Sequence, residues 1–300
     1  MKSICFFFLF LFQSFAFSEK VLIITSAYNR PDFIEIQHKT FEKFLKDEYE
    51  FVVFNDAREA DLKSSIESMC LKLGIRCINI PQAIHSQPYL YRLPLENFNA
   101  PSVRNANVVQ YALNNLGFSH DGIVAIIDSD MFLVKEFSIV DFLNGYQIAG
   151  VPQGIGYLWI GIAFLDMKNL PEKTSINFNC GKINTVPVDA GGYTYFYLKN
   201  HPEVSVRYFA PTHSSNLSCL ECLRIDENYP CSHNTALLKK IGMDDYQIYF
   251  IQSGLQNVEF FIQGSFFHYR GGSNWDRRTQ AFHENKTNLF NSYILKILEK

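Results

Sequence analysis

The sequence predicts an α/β fold: a mostly parallel sheet with helices on both faces and a ligand site at the carboxyl ends of its strands. Three observations carry this expectation. Short apolar runs alternate with segments of helical period between residues 20 and 80. Pro31, Gly74 and Pro81 punctuate the joins. One fully apolar strand, Gly122-Ile-Val-Ala-Ile-Ile, stops abruptly at Asp128-Ser129-Asp130.

Taken in order, residues 20–26 (Lys-Val-Leu-Ile-Ile-Thr-Ser) read as a buried strand. Residues 31–46 carry Phe33, Ile34, Phe41, Phe44 and Leu45 at helical spacing. A second strand over residues 49–54 ends at Asn55-Asp56. Residues 60–73 then form a helix closed by Gly74, and residues 76–80 a third strand before Pro81. A βαβαβ series of this kind gathers ligands where its strands end. A further helix is expected with Ser102 as N-cap, an apolar side of Val103, Ala106, Val109, Ala112, Leu113 and Leu116, and Gly117 as its stop. Arg104 and Asn105 lie in its first turn, where open N–H groups favour an anion; an ordinary solvated face is the other reading.

The carboxylate pair is the sharpest chemical feature. Residues i and i+2 of an extended backbone point the same way, so Asp128 and Asp130 can reach one cation together. Two hard oxygen ligands leave most of a Mg²⁺ or Mn²⁺ shell open for water and phosphate. An Asp-x-Asp also arises by chance as a solvated strand end, and its place at the carboxyl end of an apolar strand favours the ligand site. Later in the chain, Asp189-Ala-Gly191-Gly192 is either a carboxylate beside a close backbone approach to a ligand or a plain turn. Tyr28, Trp159, Tyr193 and Trp275 are candidates for stacking on a base or sugar, although aromatic residues are mostly core.

With 300 residues, 47% hydrophobic and 19% charged, the chain has ample material for a core. A formal net charge of −3, without a local cluster of basic residues, excludes the electrostatic footprint of a nucleic-acid binder. Residues 1–18 read as a signal segment: Lys2, an apolar run over residues 4–12, then the small residues Ala16 and Ser18; a short uncleaved anchor is the second choice. Export, or the lumen of the secretory pathway, follows from that reading. Asn216-Leu-Ser218 and Asn285-Lys-Thr287 match glycosylation acceptors and suit a lumen.

Without that segment six cysteines remain. Disulfides are expected in an oxidising compartment, with Cys70 and Cys77 as plausible partners across the Gly74 turn. The rival is a zinc knuckle from Cys219, Cys222, Cys231 and His233.

On these residues the chain resembles the GT-A-fold glycosyltransferases, whose Rossmann-like domain uses an Asp-x-Asp motif to hold a metal and a nucleotide-sugar diphosphate. The segment Ile24-Thr-Ser-Ala-Tyr28-Asn-Arg30 looks like the family's first-strand loop, and Asp56 matches the acid after its second strand. Arg104 and Asn105 match the helix before the motif, and Asp128-Ser-Asp130 the motif itself. Leu158-Trp-Ile-Gly161 resembles the acceptor-side strand, without the polar residue that usually precedes the glycine. Phe267-His268-Tyr269-Arg270-Gly271-Gly272-Ser-Asn-Trp275 is similar to the His-Tyr-x-Gly segment of the glycogenin-like and galactinol-synthase-like retaining branch. Ser273-Asn274 replaces that branch's Lys-Pro, so Arg270 or Arg277 would have to hold the phosphate.

The resemblance implies a single GT-A-type catalytic domain over residues 19–300, with residues 176–235 a cysteine-containing insertion on the acceptor side. It implies a metal held by Asp128, Asp130 and His268, and a donor, UDP-linked by expectation, contacted by Ser26, Tyr28, Arg30, Asp56, Arg104, Asn105, Asp128 and Gly271. An imidazole ligand tilts the ion to Mn²⁺ over Mg²⁺. Asp189 would be the general base of an inverting reaction or would position the acceptor, a glycan, protein or lipid hydroxyl, in a retaining one. The alternatives are a non-catalytic exported carbohydrate- or metal-binding protein on the same fold, and a zinc-stabilised interaction protein built on the Cys219–His233 cluster.

Overall fold

A computed structural model describes residues 20–86, 100–213, 235–240, 242–253, 258–273 and 279–299. The described residues open with β1 (Val21–Ala27), α1 (Pro31–Phe44), β2 (Tyr49–Asn55), α2 (Ala60–Leu73) and β3 (Arg76–Asn79). Strand alternation divides β1 between two cores. Val21 and Ile23 pack with Ile34 and Phe41 of α1 and Ile66 and Cys70 of α2. Leu22 and Ile24 face Val103, Ala106, Val109 and Leu113 of α3 (Pro101–Asn115). Helices therefore cover both faces of the sheet, and each fully buried aliphatic side chain contributes about 1.5–3 kcal/mol.

The chain continues through β4 (Ile123–Ile127), β5 (Met131–Leu133), α4 (Ile139–Leu143), β6 (Ile148–Gln153), β7 (Tyr157–Asp166), β8 (Gly181–Ile183), β9 (Val186–Val188), α5 (Thr194–Asn200), β10 (Val206–Tyr208) and β11 (Thr212–His213). Next come α6 (Thr235–Lys240), α7 (Asp245–Ser253), β12 (Glu259–Phe261), β13 (Phe266–His268) and α8 (Gln280–Glu299). The main sheet has the order β10-β6-β7-β4-β1-β2-β3. Among the described residues β7 alone runs against the other strands of this sheet. The expected α/β class, a mostly parallel sheet with helices on both faces, is thus present. Within residues 176–235, β10 pairs with β6 at the edge of the main sheet.

A second sheet, β11-β12-β13-β5, is antiparallel throughout. Its register sets Phe266 opposite Leu133, Phe267 opposite Phe132 and His268 opposite Met131. Phe33, Phe132, Phe267, Tyr269, Phe290 and Tyr293 form an aromatic core behind it, and α8 docks there through Phe290, Tyr293, Ile294 and Ile297. Ring centroids 4.7–5.4 Å apart join Phe290 to Phe132, Tyr269 and Phe267, spacings at which aromatic pairs attract.

Two helix boundaries differ from the expected ones. Pro101, not Ser102, opens α3, because the fixed φ of proline suits the first helical position; Ala100 is the cap and offers no side-chain bond. α3 ends with Leu116 as its cap, and Gly117 begins a short 3-10 turn instead of stopping the helix. The expected disulfide does not form among the described residues. Cys70 and Cys77 are thiols in hydrogen-bond contact with each other. Residues 1–18, Cys219, Cys222, Cys231, His233, the Asn216 triplet, Trp275 and Arg277 lie outside the described residues. No helix among the described residues is long and apolar enough to cross a membrane.

Candidate metal centre

The apolar strand β4 delivers Asp128 to the edge of the sheet, where its backbone N–H donates to Gly161 O of β7 (2.9 Å). Met131 N donates back to Asp128 O (3.0 Å), closing a tight turn that presents Asp130. Gln37, wholly buried in α1, straps this turn: its amide donates to Asp128 O (2.9 Å) and Met131 O (2.8 Å). Below the turn the chain enters β5, and pairing with β13 carries His268 to the same place. Tyr269 N donates to Asp130 O (2.8 Å), locking the register.

One ligand atom from each of Asp128, Asp130 and His268 lies within 4.8 Å of the other two. The carboxylates are partly exposed and the imidazole is buried. His268 Nε2 stands 3.3 Å from Asp130 Oδ1. Each acid is also oriented from outside the group. Asn105 donates to Asp128 Oδ1 (2.7 Å) and accepts from the hydroxyl of Ser26 (2.9 Å). Gly272 N donates to Asp130 Oδ2 (3.0 Å), an approach that needs glycine: a Cβ there would lie 2.5 Å from Phe33 and 3.0 Å from the Cβ of Asp130.

The electrostatics suit a positive charge beside the two acids. Burial and then the charge of Asp130 push the Asp128 carboxyl up to about 6. Asp130 is also desolvated, but His268, the Gly272 N–H and Lys286 together hold it down at about 2. Burial opposes the charge on His268, yet Asp130 and Glu259 raise it to about 9. Two carboxylates that disfavour each other's charge, with one imidazole nitrogen within 4.8 Å of an oxygen of each, form a donor set suited to a divalent cation of borderline hardness.

The other expected residues fall into three groups. Arg30 lies 3.5 Å over the Phe33 ring, forks onto Asp32 (2.6 and 2.8 Å) and donates to Gly272 O (3.1 Å), so the loop after β1 holds the glycine loop after β13. Gly271 in that loop has φ +71°, a left-handed backbone that favours glycine. Asp56 and Arg104 meet as a buried pair, with Nε and Nη2 at 3.0 and 2.7 Å from one carboxylate oxygen. His85 takes the other oxygen at 2.7 Å, and Tyr28 stacks 5.2 Å from the Arg104 guanidinium. The guanidinium expected to await an anion is thus engaged by Asp56, while its neighbour Asn105 turns to Asp128.

Asp189 is exposed at the turn after β9, with its carboxylate accepting from Ala190 N (2.9 Å). The close approach its glycines suggested is to protein rather than to an open ligand space: a Cβ on Gly191 would lie 1.9 Å from Leu158 O. The Tyr193 ring packs on Gly181 in the same way. Trp159 lies 5.3 Å from His268 and 5.5 Å from Phe261, and its ring crosses Gly161, where a Cβ would be 2.0 Å away.

Several residues at the centre escaped sequence reasoning. Glu259 bonds His268 Nδ1 at 2.6 Å and Arg270 at 3.3 Å, so Arg270 is paired rather than open. Lys286, buried in α8, donates to the carbonyls of Tyr269 and Arg270 (2.8 Å to the latter), and burial pushes it down to about 7. A signal existed for both. Glu259 is a lone acid in Val-Glu-Phe-Phe, and Lys286 falls on the apolar stripe His283, Phe290, Tyr293, Ile297.

No family model matches the chain. No curated protein matches it either. Among solved structures it is similar to glucosyl-3-phosphoglycerate synthase from Mycobacterium tuberculosis, determined with Mn²⁺, UDP and glucosyl-3-phosphoglycerate, at 15% identity over 64% of this chain and 69% of that one, with a TM-score of 0.39. It is similar to the galactosyltransferase LgtC, in complex with donor and acceptor sugar analogues, at 13% identity over 63% and 73% with a TM-score of 0.36. The bifunctional glycosyltransferase WbbM is 9% identical over 92% of this chain and 52% of that protein, with a TM-score of 0.44.

Proposed function

We propose that the chain is a metal-dependent glycosyltransferase that moves a sugar from a nucleoside diphosphate donor, with UDP the nucleotide to test first, to a hydroxyl of a glycan, protein or lipid. One observation carries the reading: Asp128, Asp130 and His268, nearly half the chain apart, converge at the carboxyl end of β4. Ligand sites of open α/β sheets lie at such strand ends. The motifs around Tyr28, Asp128 and His268 support the same family.

A divalent cation, when bound, supplies positive charge to the diphosphate that leaves the anomeric carbon. In the proposal Asp128, Asp130 and His268 hold that ion, and the imidazole favours Mn²⁺. Ser26 and Asn105 aim Asp128, and the Gly272 N–H aims Asp130. Asp56 and Arg104 serve the donor by supporting Tyr28, whose ring offers a face to the nucleoside. Arg30 and Gly271 shape the loop beside the diphosphate. Asp189 is proposed on the acceptor side: Gly191 packs against Leu158, and the next residue, Trp159, covers His268. Transfer is proposed to retain configuration, on the likeness of the His268 segment to the retaining branch. The compartment proposed is exported or luminal, on the apolar segment over residues 4–12 and the small residues Ala16 and Ser18.

The test is release of UDP from a panel of UDP-sugars with and without Mn²⁺. Mn²⁺-dependent turnover that Asp130→Ala abolishes is expected. Turnover unchanged in Asp130→Ala would overturn the site, and binding of UDP with Mn²⁺ but no turnover would mark a non-catalytic protein on this fold.

A further inference from the structure

Glu259 sits directly opposite His268 on the β12–β13 ladder, so their side chains share one face. Both are buried, and Glu259 Oε2 lies 2.6 Å from His268 Nδ1. An ionised carboxylate only accepts hydrogen bonds, so Nδ1 carries the hydrogen and Nε2 is the nitrogen left for another partner. Nε2 is the atom that faces Asp130. The ring plane is fixed as well, by Trp159 at 5.3 Å and Phe261 at 6.0 Å. Arg270 lies 3.3 Å from Oε1, an ion pair that leaves the other oxygen to His268.

We propose that Glu259 is a positioning residue that fixes the Nε2 face of His268 toward Asp128 and Asp130 and makes the centre select cations that accept an imidazole, Mn²⁺ over Mg²⁺. The inference rests on the metal-centre reading above. Partners of this kind set the ring orientation and ligand basicity of a histidine, and their loss typically costs about 10–100-fold in metal affinity. Mg²⁺ draws mainly on carboxylates and water, so it depends far less on the imidazole.

The experiment titrates MnCl₂ and MgCl₂ separately, by calorimetry and Mn²⁺ electron paramagnetic resonance, into the wild-type chain, Glu259→Gln and His268→Ala, with Asp130→Ala alongside as the control that removes a carboxylate ligand. Both variants are expected to lose Mn²⁺ affinity, about 10–100-fold for Glu259→Gln, while Mg²⁺ affinity stays near wild type and selectivity collapses. Glu259→Gln binding Mn²⁺ as wild type does, with His268→Ala impaired, overturns the role of Glu259 and leaves the metal centre standing. Wild-type Mn²⁺ affinity in His268→Ala and Asp130→Ala removes the metal centre itself. Should Glu259→Gln not fold, ¹⁵N spectra of the wild-type chain loaded with diamagnetic Cd²⁺ decide. Hydrogen on Nδ1 of His268 with the ion on Nε2 is expected; the reverse overturns the proposal.

Discussion

His268 Nε2 lies 3.3 Å from Asp130 Oδ1, although the two residues are almost half the chain apart. The contact follows from the β5–β13 register, which sets His268 beside Met131 and lets Tyr269 N bond Asp130 O. Asp130 is the hub of the centre, gripped through its backbone by β13 and through its carboxylate by the glycine loop. Asp130→Asn keeps the shape and removes the charge. Calorimetry with Mn²⁺ should show binding lost, with the metal-free chain also less stable because His268 and Lys286 lose the charge of Asp130; retained binding would place the ion elsewhere.

Gly272 and Gly74 separate two uses of glycine. Gly74 caps α2 at φ +67° with open space around it, so Gly74→Ala meets only backbone strain of about 1–2 kcal/mol and should leave Mn²⁺ affinity unchanged. In Gly272→Ala the new methyl meets Phe33 and Asp130, an overpacking of about 1–3 kcal/mol. It should also displace the Asp130 carboxylate and weaken Mn²⁺ binding. Parallel melts and titrations of the two variants check the contrast, and equal Mn²⁺ affinity in both would show that the loop does not orient Asp130.

Gln37→Leu nearly conserves volume but leaves the carbonyls of Asp128 and Met131 without their shared donor. Asp128 O keeps the N–H of Met131, so the loss falls on Met131 O, and a buried acceptor stripped of a donor costs about 1–3 kcal/mol. Denaturant titration should show a loss of about that size, with metal affinity falling as the turn loosens. A stability near wild type would mean that the amide does not hold the turn.

Much of this was legible in the sequence, for identifiable reasons. The β1-α1-β2-α2-β3 series shows because its apolar periods are local, as does the carboxylate pair at the end of β4. Helix ends were less legible: Ser102 has the chemistry of a cap, but Pro101 beside it already satisfies the first helical position. The fate of Arg104 was hidden, since an arginine in a first turn looks alike whether it meets an anion or a buried Asp56. The place of Glu259 depends on strand register, which has no local signature; only its oddity in an apolar run was visible. Gln37 gave no signal, as a glutamine within an amphipathic helix reads as surface.

The buried Asp56–Arg104 pair yields a separate expectation. Removing one partner of such a pair costs about 3–5 kcal/mol, because the other charge is left desolvated. Arg104→Met should therefore be strongly destabilised in denaturant titrations, while the part that remains folded binds Mn²⁺ normally, since Asn105 and not Arg104 touches Asp128. Lost Mn²⁺ affinity in the folded fraction would tie the two clusters more closely than their contacts do.

Metal binding should depend on pH with a sign set by His268 and Asp128. In the metal-free chain His268, raised to about 9, carries a proton through neutral pH, and Asp128, raised to about 6, gains one below that value. A cation at Nε2 must displace the first proton, so affinity should rise with pH, level off above about 9, and fall more steeply below about 6 where the second proton also competes. Global stability is a poorer gauge. His268 contributes stability below 6.5 that is lost as pH rises through about 9, whereas Lys286, depressed to about 7, disfavours folding while it must be charged and adds stability as pH rises from 7 toward 10.5. The opposing slopes overlap, so melting curves blur what proton release resolves. Calorimetry at pH 7.5 in buffers of different ionisation enthalpy should find close to one proton released per Mn²⁺ bound in the wild-type chain and none in any binding that survives His268→Ala. Release of no proton by the wild-type chain would mean that the ion does not reach Nε2.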